Sequence, residues 1–372
     1  MKYPLIVAVI LFSFLWNACG NESNQGRPQD PVEPYNYYTE EVIFRNDSAN
    51  VTLAGTLTLP SKDGNYPAVV LISGSGPQNR DSGIAGHRPF LVLSDHLTKQ
   101  GIAVLRYDDR GFGKSSGDFA AGTSLDFSYD AESAVKYLKS RSEINSDKIG
   151  LIGHSDGAMI APMVAARSSD VNFIVLLAGP GLAGRELLLD RQAILERKLG
   201  VSEEEIRKSA GHSGKMIDIV ITSSDSETAK SRLAGFSKSS YDQIPAYAVP
   251  PGMSKDDYVS NLIEMLSSPW FRFFLAYDPV PTLRKVRCPV LALNGDKDMQ
   301  VPSTTNLPLM RDALIAGGNQ NGTVRELANL NHFFQECVTG MPDEYARIEQ
   351  TLAPVVLTTI SDWIKEQTII HK

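Results

Sequence analysis

The chain reads as an α/β protein: a mostly parallel central sheet with helices on both faces and a helical insertion late in the strand order. Three observations predict this. Short apolar runs at 68–72, 102–105, 148–152, 171–177, 289–294 and 323–327 alternate with longer amphipathic stretches, the pattern of parallel strands joined by crossover helices. The run at 148–152 enters a helical pattern through Gly153-His154-Ser155-Asp156-Gly157, a turn tight enough to need glycine at its ends. Between Leu182 and Asp278 the alternation stops, and charge-rich helical segments replace it.

The elements follow in order. Lys2, the apolar run 5–15 and Trp16-Asn17-Ala18-Cys19-Gly20 form an export signal over 1–19, too short to span a bilayer. Cysteine at its end predicts a lipid-anchored protein acylated on Cys19, associated peripherally with a membrane. Trp16 stands where an aliphatic residue is expected three places before that cysteine, so plain cleavage after Gly20 stays open. Either way the chain is expected outside the cytoplasm, in a bacterial cell envelope. Residues 20–38, rich in Asn, Gln, Pro and Glu, read as a flexible linker. The first part of the core is placed at 39–181, the cap at 182–278 and the second part of the core at 279–372.

Within the core, 40–45 and 51–59 alternate apolar with polar residues and open the sheet as an antiparallel pair. Helices are expected at 89–100, 126–141 and 158–167, and in the cap at 186–199 and 202–215. A length of 372 residues with 42% hydrophobic content suits one large domain with an insertion. A formal charge of −7 argues against a nucleic-acid partner. Cys288 and Cys337 are expected at opposite ends of the sheet, too far apart for a disulfide.

The chemistry starts at Ser155. A serine between two glycines at a strand-to-helix turn has a strained backbone, and the helix that starts there points its positive end at the serine oxygen. The pentapeptide recurs by chance; the strand before it and the helix after it give it meaning. Strand 289–294 then leads into Gly295-Asp296-Lys297-Asp298. Asp298 is preferred to Asp296 because the acid in such a loop usually stands third after the strand-ending glycine. Of six histidines, only His332 follows the final strand on a loop that precedes a helix. His154 occupies the variable position of the turn and is expected to pack beside the nucleophile.

These three side chains fit nucleophilic acyl transfer. His332 would take the Ser155 proton and return it to the leaving group, with Asp298 holding the imidazole. The oxyanion needs two N–H donors, each worth about 3–4 kcal/mol in the transition state. Asp156 is one candidate and Ser75, in Ser73-Gly74-Ser75-Gly76 after a strand, is the other. That glycine-rich run lacks the spacing and the lysine of a phosphate cradle. Arg106, Asp108, Asp109 and Arg110 read as a charge-paired loop bracing the floor of the site.

Ser73-Gly74-Ser75-Gly76-Pro77, Tyr107-Asp108-Asp109-Arg110-Gly111-Phe112-Gly113-Lys114-Ser115, the Ser155 turn, Ser268-Pro269-Trp270-Phe271 and the two later loops together resemble bacterial capped α/β-hydrolase esterases. These are similar to the broad serine-aminopeptidase and monoglyceride-lipase grouping, and the resemblance covers 39–363. It implies an α/β-hydrolase fold with a lid, and hydrolysis of a small-molecule acyl ester by Ser155, Asp298 and His332. It implies neither a metal nor an organic cofactor, and the sequence favours no oligomeric state. Gly76, His154, Trp270 and Phe274 are candidate substrate contacts; Trp270, Phe273, Phe274 and Tyr277 could equally form a helix face packed on a core. Asp156 departs from the small or apolar residue usual there and is expected to turn its carboxylate away from the oxyanion. A serine peptidase is the main alternative, with Glu203, Glu204 and Glu205 as candidate amine-binding acids or simply a solvated helix start. A thioesterase or acyltransferase comes third, and a non-catalytic binding module would be expected to have lost one of the three residues.

Overall fold

Eight strands form one sheet in the order β1-β2-β4-β3-β5-β6-β7-β8. They are β1 (Tyr38–Asn46), β2 (Val51–Leu59), β3 (Tyr66–Ile72), β4 (Ala103–Tyr107), β5 (Ile144–His154), β6 (Phe173–Leu177), β7 (Val290–Gly295) and β8 (Gly322–Leu327). This computed structural model describes residues 26–244, 249–250 and 252–368. The expected export signal, with Cys19, lies outside the described residues. β1–β2 and β2–β4 are antiparallel and the later pairings are parallel.

Strands β3, β6 and β7, residues 103–105 of β4 and residues 149–154 of β5 are buried almost throughout on both faces, which explains their apolar runs. Crossovers carry helices α1 (Pro89–Lys99), α2 (Ser124–Lys139) and α3 (Asp156–Ala165). After β6 the chain forms α4 (Gly184–Lys198), α5 (Glu203–Ile221), α6 (Ser226–Ser239), α7 (Lys255–Ser267) and α8 (Pro269–Ala276). It closes with α9 (Val280–Leu283), α10 (Ser303–Ala316) and α11 (Pro354–Thr368). On one face, Phe90, Leu93 and Leu97 of α1 and Val356, Ile360 and Trp363 of α11 bury Val69, Leu71, Ile152, Val175 and Leu291. Gly150 serves this packing directly, because a Cβ there would come within 2.1 Å of the Phe173 ring. Helix α3 packs on the opposite face, where Ala158 and Met310 of α10 crowd Gly179.

Besides shifted ends, such as α5 running to Ile221 where 215 was expected and β5 starting at Ile144 where 148 was expected, the structure departs from expectation in two instructive places. Strand β4 runs on to Tyr107 instead of stopping at residue 105. Arg106 is only 5% exposed yet remains in the strand because Asp81 pairs with it. The linker expected at 20–38 is not loose in its described part. Arg27 donates to the carbonyls of Ala85 (3.1 Å), Ala346 (2.9 Å) and Ile348 (3.2 Å). Gln29 bonds the backbone of Thr351 and Leu352, and Asp30 pairs with Arg88 at 2.9 Å. Polar composition suggests disorder, but here those polar groups find partners more than fifty residues away.

By their own contacts, 182–278 with 120–123 form one compact unit, and the sheet with its helices forms another. Inside the first unit the starts of α5, α6, α7 and α8 are capped by Ser202, Asp225, Ser254 and Ser268. Its apolar interior includes Leu188, Leu195, Ile217, Val220, Leu233 and Phe271.

Candidate active site

Strand β5 delivers Ser155 to the start of α3 with φ 55° and ψ −114°, a conformation that costs a non-glycine residue energy. The flanking glycines are a steric requirement. A Cβ on Gly153 would lie 2.0 Å from the Gly157 carbonyl oxygen, and one on Gly157 would lie 2.2 Å from that of Ile72. The Ser155 N–H donates to the Leu177 carbonyl at 2.8 Å, tying the turn to the next strand. Its side chain thus stands at the positive end of a buried helix.

Asp298 and Asp296 part as expected: Asp296 is exposed, whereas Asp298 is 4% exposed. One Asp298 oxygen accepts the N–H groups of Gln300 (2.7 Å) and Val301 (2.9 Å), which fixes the carboxylate plane. The other meets His332 Nδ1 at 2.8 Å. His332 Nε2 lies 3.1 Å from Ser155 Oγ. A carboxylate can only accept, so Nδ1 carries the hydrogen and Nε2 is left to accept the serine proton.

The loop that carries His332 is long, running from β8 to α11, which starts only at Pro354. Asn331, fully buried, shapes it: its Oδ1 accepts the N–H groups of Phe333 and Gln335, both at 3.0 Å. Gly295 lets this loop close on β7, since a Cβ there would lie 2.1 Å from the Leu330 carbonyl oxygen. Sequence reading passed over Asn331; its one signal was a short polar side chain next to the histidine.

The remaining candidates are placed as follows. His154 Nε2 donates to the His332 carbonyl at 2.9 Å, and its ring packs against His332 and Phe333. Burial, with His332 adding to it, pushes the His154 imidazole down to about 3, so the ring is neutral. The 73–76 loop runs against the nucleophile: a Cβ on Gly74 would lie 3.3 Å from Ser155 Cβ. Gly76, at φ 85°, makes its turn. The Asp156 carboxylate accepts from Ser124 Oγ at 2.9 Å, at the start of α2. Trp270 and Phe274 lie in the inserted unit, where their rings stack 5.3 Å apart. Glu203 pairs with Arg197, Glu204 with Lys208, and Glu205 closes the capping box of α5.

A strained serine at a strand–helix turn, a histidine from the last-strand loop and a buried aspartate from the loop before it define the site of an α/β-hydrolase-type protein. Residues 67–336 match the family model described as alpha/beta hydrolase fold, and the chain belongs to that family. It is 26% identical over 305 residues to esterase EstD of Thermotoga maritima, covering 82% of this chain and 61% of that one. It is 24% identical over 160 residues to human acyl-coenzyme A thioesterase 1, covering 43% of this chain and 35% of that one. The chain therefore spans about three fifths of the length of the first relative and about a third of the second. Among solved structures, the Pyrococcus furiosus esterase Pf2001 shares the fold with a TM-score of 0.53 at 15% identity, covering 92% of this chain and 98% of that chain.

Proposed function

We propose that this chain is a serine carboxylesterase acting on small-molecule acyl esters. Ser155 Oγ attacks the ester carbonyl carbon while His332 Nε2 takes its proton. The N–H groups of Asp156 and Ser75 meet the tetrahedral oxyanion. Collapse breaks the C–O bond, and His332 returns the proton to the departing alkoxide, leaving an acyl-Ser155 ester. Water, deprotonated by the same imidazole, then releases the carboxylic acid. Asp298 keeps Nδ1 protonated and stabilises the imidazolium. The observation that carries the reading is the hydrogen-bonded path from Asp298 through His332 to Ser155, 2.8 and 3.1 Å long.

Two further points support ester chemistry. The similarity to EstD extends over most of this chain, and Glu203, Glu204 and Glu205 are engaged in local pairs and a helix cap. The partial similarity to an acyl-coenzyme A thioesterase supports a second reading, acyl thioester cleavage by the same serine. A panel of nitrophenyl esters of graded acyl length, aminoacyl nitroanilides and acyl-coenzyme A tests all three. Oxygen esters should turn over fastest; turnover of nitroanilides alone would replace the ester reading with a peptidase. The leader is proposed to export the enzyme to the cell envelope and anchor it through Cys19. A Cys19→Ala chain that still partitions with membranes would refute the anchor.

A further inference from the structure

The charged stretch at the end of β4 and just past it splits into two kinds of residue. Arg106 pairs with Asp81, Asp108 with Arg80, and Arg110 with Asp130. Among the described residues Asp109 has no cation partner. It faces the oxyanion loop instead. Its two oxygens accept Ser73 Oγ–H at 2.8 and 3.0 Å, and Oδ2 also accepts the Gln78 N–H at 2.8 Å. The Asp109 N–H donates to the Gln78 carbonyl at 3.1 Å. Gln78 in turn donates from its amide to the Ser75 carbonyl at 3.2 Å. One carboxylate therefore holds the first and last residues of 73–78, and the last residue holds the middle.

This segment carries the proposed Ser75 donor and runs against Ser155. The carboxylate is held there at a cost. Burial, with Asp130 and Asp156 nearby, pushes its pKa up to about 7 against the opposing bonds from Ser73 and Gln78. Asp109 is only half-buried, and an asparagine could make similar bonds without a charge.

We propose that Asp109 is the positioning residue of the oxyanion loop: through Ser73 and Gln78 it sets where the Ser75 N–H stands relative to Ser155. This rests on the esterase reading and concerns only the stabilisation of the tetrahedral intermediate. Loss of the clamp should therefore lower kcat and leave KM nearly unchanged.

The test compares Asp109→Leu, Asp109→Asn and Ser73→Ala with the parent on one nitrophenyl ester and on a trifluoromethyl ketone with the same acyl chain. Deleting a whole oxyanion donor costs ~10²–10³ in kcat, so displacing one through Asp109→Leu should cost ~10–100-fold with KM within about 3-fold. The ketone, which forms the tetrahedral adduct, should lose affinity in the same proportion as kcat. Asp109→Asn keeps an acceptor for the Gln78 N–H and offers a donor to Ser73 Oγ, so it should recover kcat to within about 5-fold of the parent. Ser73→Ala releases one end of the loop and should fall between the two, which covers the case in which the leucine variant does not fold. Parent-like kcat in the Ser73→Ala and leucine variants, or a fall in kcat with ketone affinity unmoved, would overturn the proposal. A parent enzyme inert to both esters and the ketone would instead remove the esterase reading itself.

Discussion

The serine turn and the histidine loop supply the two ends of one 3.1 Å contact, and they are built in opposite ways. The turn is local. Its constraints come from residues 153–158 and from the strand ends they touch, at Ile72 and Leu177. The histidine loop is held from outside. Gln335 reaches the Gln350 carbonyl, His87 reaches Thr351 and donates to the Tyr345 carbonyl, and Arg27 reaches the carbonyls of residues 346 and 348. Besides Ser155, His154 also links the two: it belongs to the turn yet bonds the His332 carbonyl. Steric demands that admit only glycine leave a mark in the sequence wherever the opposing atom lies, whereas polar contacts between distant residues do not.

That contrast can be broken or sharpened experimentally. Ser155→Ala should lower kcat by on the order of 10⁶ while the fold persists, as measured by steady-state ester hydrolysis. Gly157→Val should cost more than about 4 kcal/mol in thermal unfolding, because its side chain meets the Ile72 and Ser73 carbonyls and no rotamer avoids them. His154→Leu should leave the buried His332 carbonyl unsatisfied, costing about 1–3 kcal/mol. His154→Gln, which can still donate, should lose less. A null effect of both would mean the turn does not hold the histidine loop.

Two smaller effects separate the regions further. The Asp109 carboxyl, raised to about 7 when folded against an ordinary 3.8, keeps its proton between pH 4 and 7 while the unfolded chain gives its proton up. Its contribution to stability therefore falls through that window and is lowest above 7. Asparagine does not titrate, so the Tm of Asp109→Asn minus that of the parent should rise from pH 4 to pH 8. A flat difference would mean the carboxyl is ionised throughout. Arg27→Ala should speed hydrogen exchange in 341–352, which its guanidinium supports, and leave 150–160 unchanged. Equal change in both segments would erase the distinction between a local turn and a remotely held loop.

Much of the candidate site was legible because the proposed chemistry restricts residue type and order. Ser155 was marked by its glycines, Asp298 by its distance past Gly295, and His332 by following the last strand. The structure brings these three into hydrogen-bonding contact. What stayed hidden depended on distant pairing. Arg106 made β4 look two residues too short until Asp81 supplied its partner. The polar residues of 26–37 suggested a loose linker until Ala346, Ile348 and Leu352 appeared as their acceptors. Asp109 was grouped with its charged neighbours, although its bonds go to an uncharged loop. A lone sequence shows that a polar group needs a partner without showing where that partner lies.

The central claim is that Ser155 receives the acyl group with His332 as its base. Brief incubation with a slowly deacylating nitrophenyl ester, acid quench and peptide mass spectrometry tests it directly. The expected result is one acyl group per chain on the peptide containing Ser155, lost in Ser155→Ala and slowed by orders of magnitude in His332→Ala. Stoichiometric acylation of any other residue, or acylation of Ser155 at the parent rate without His332, would contradict the account.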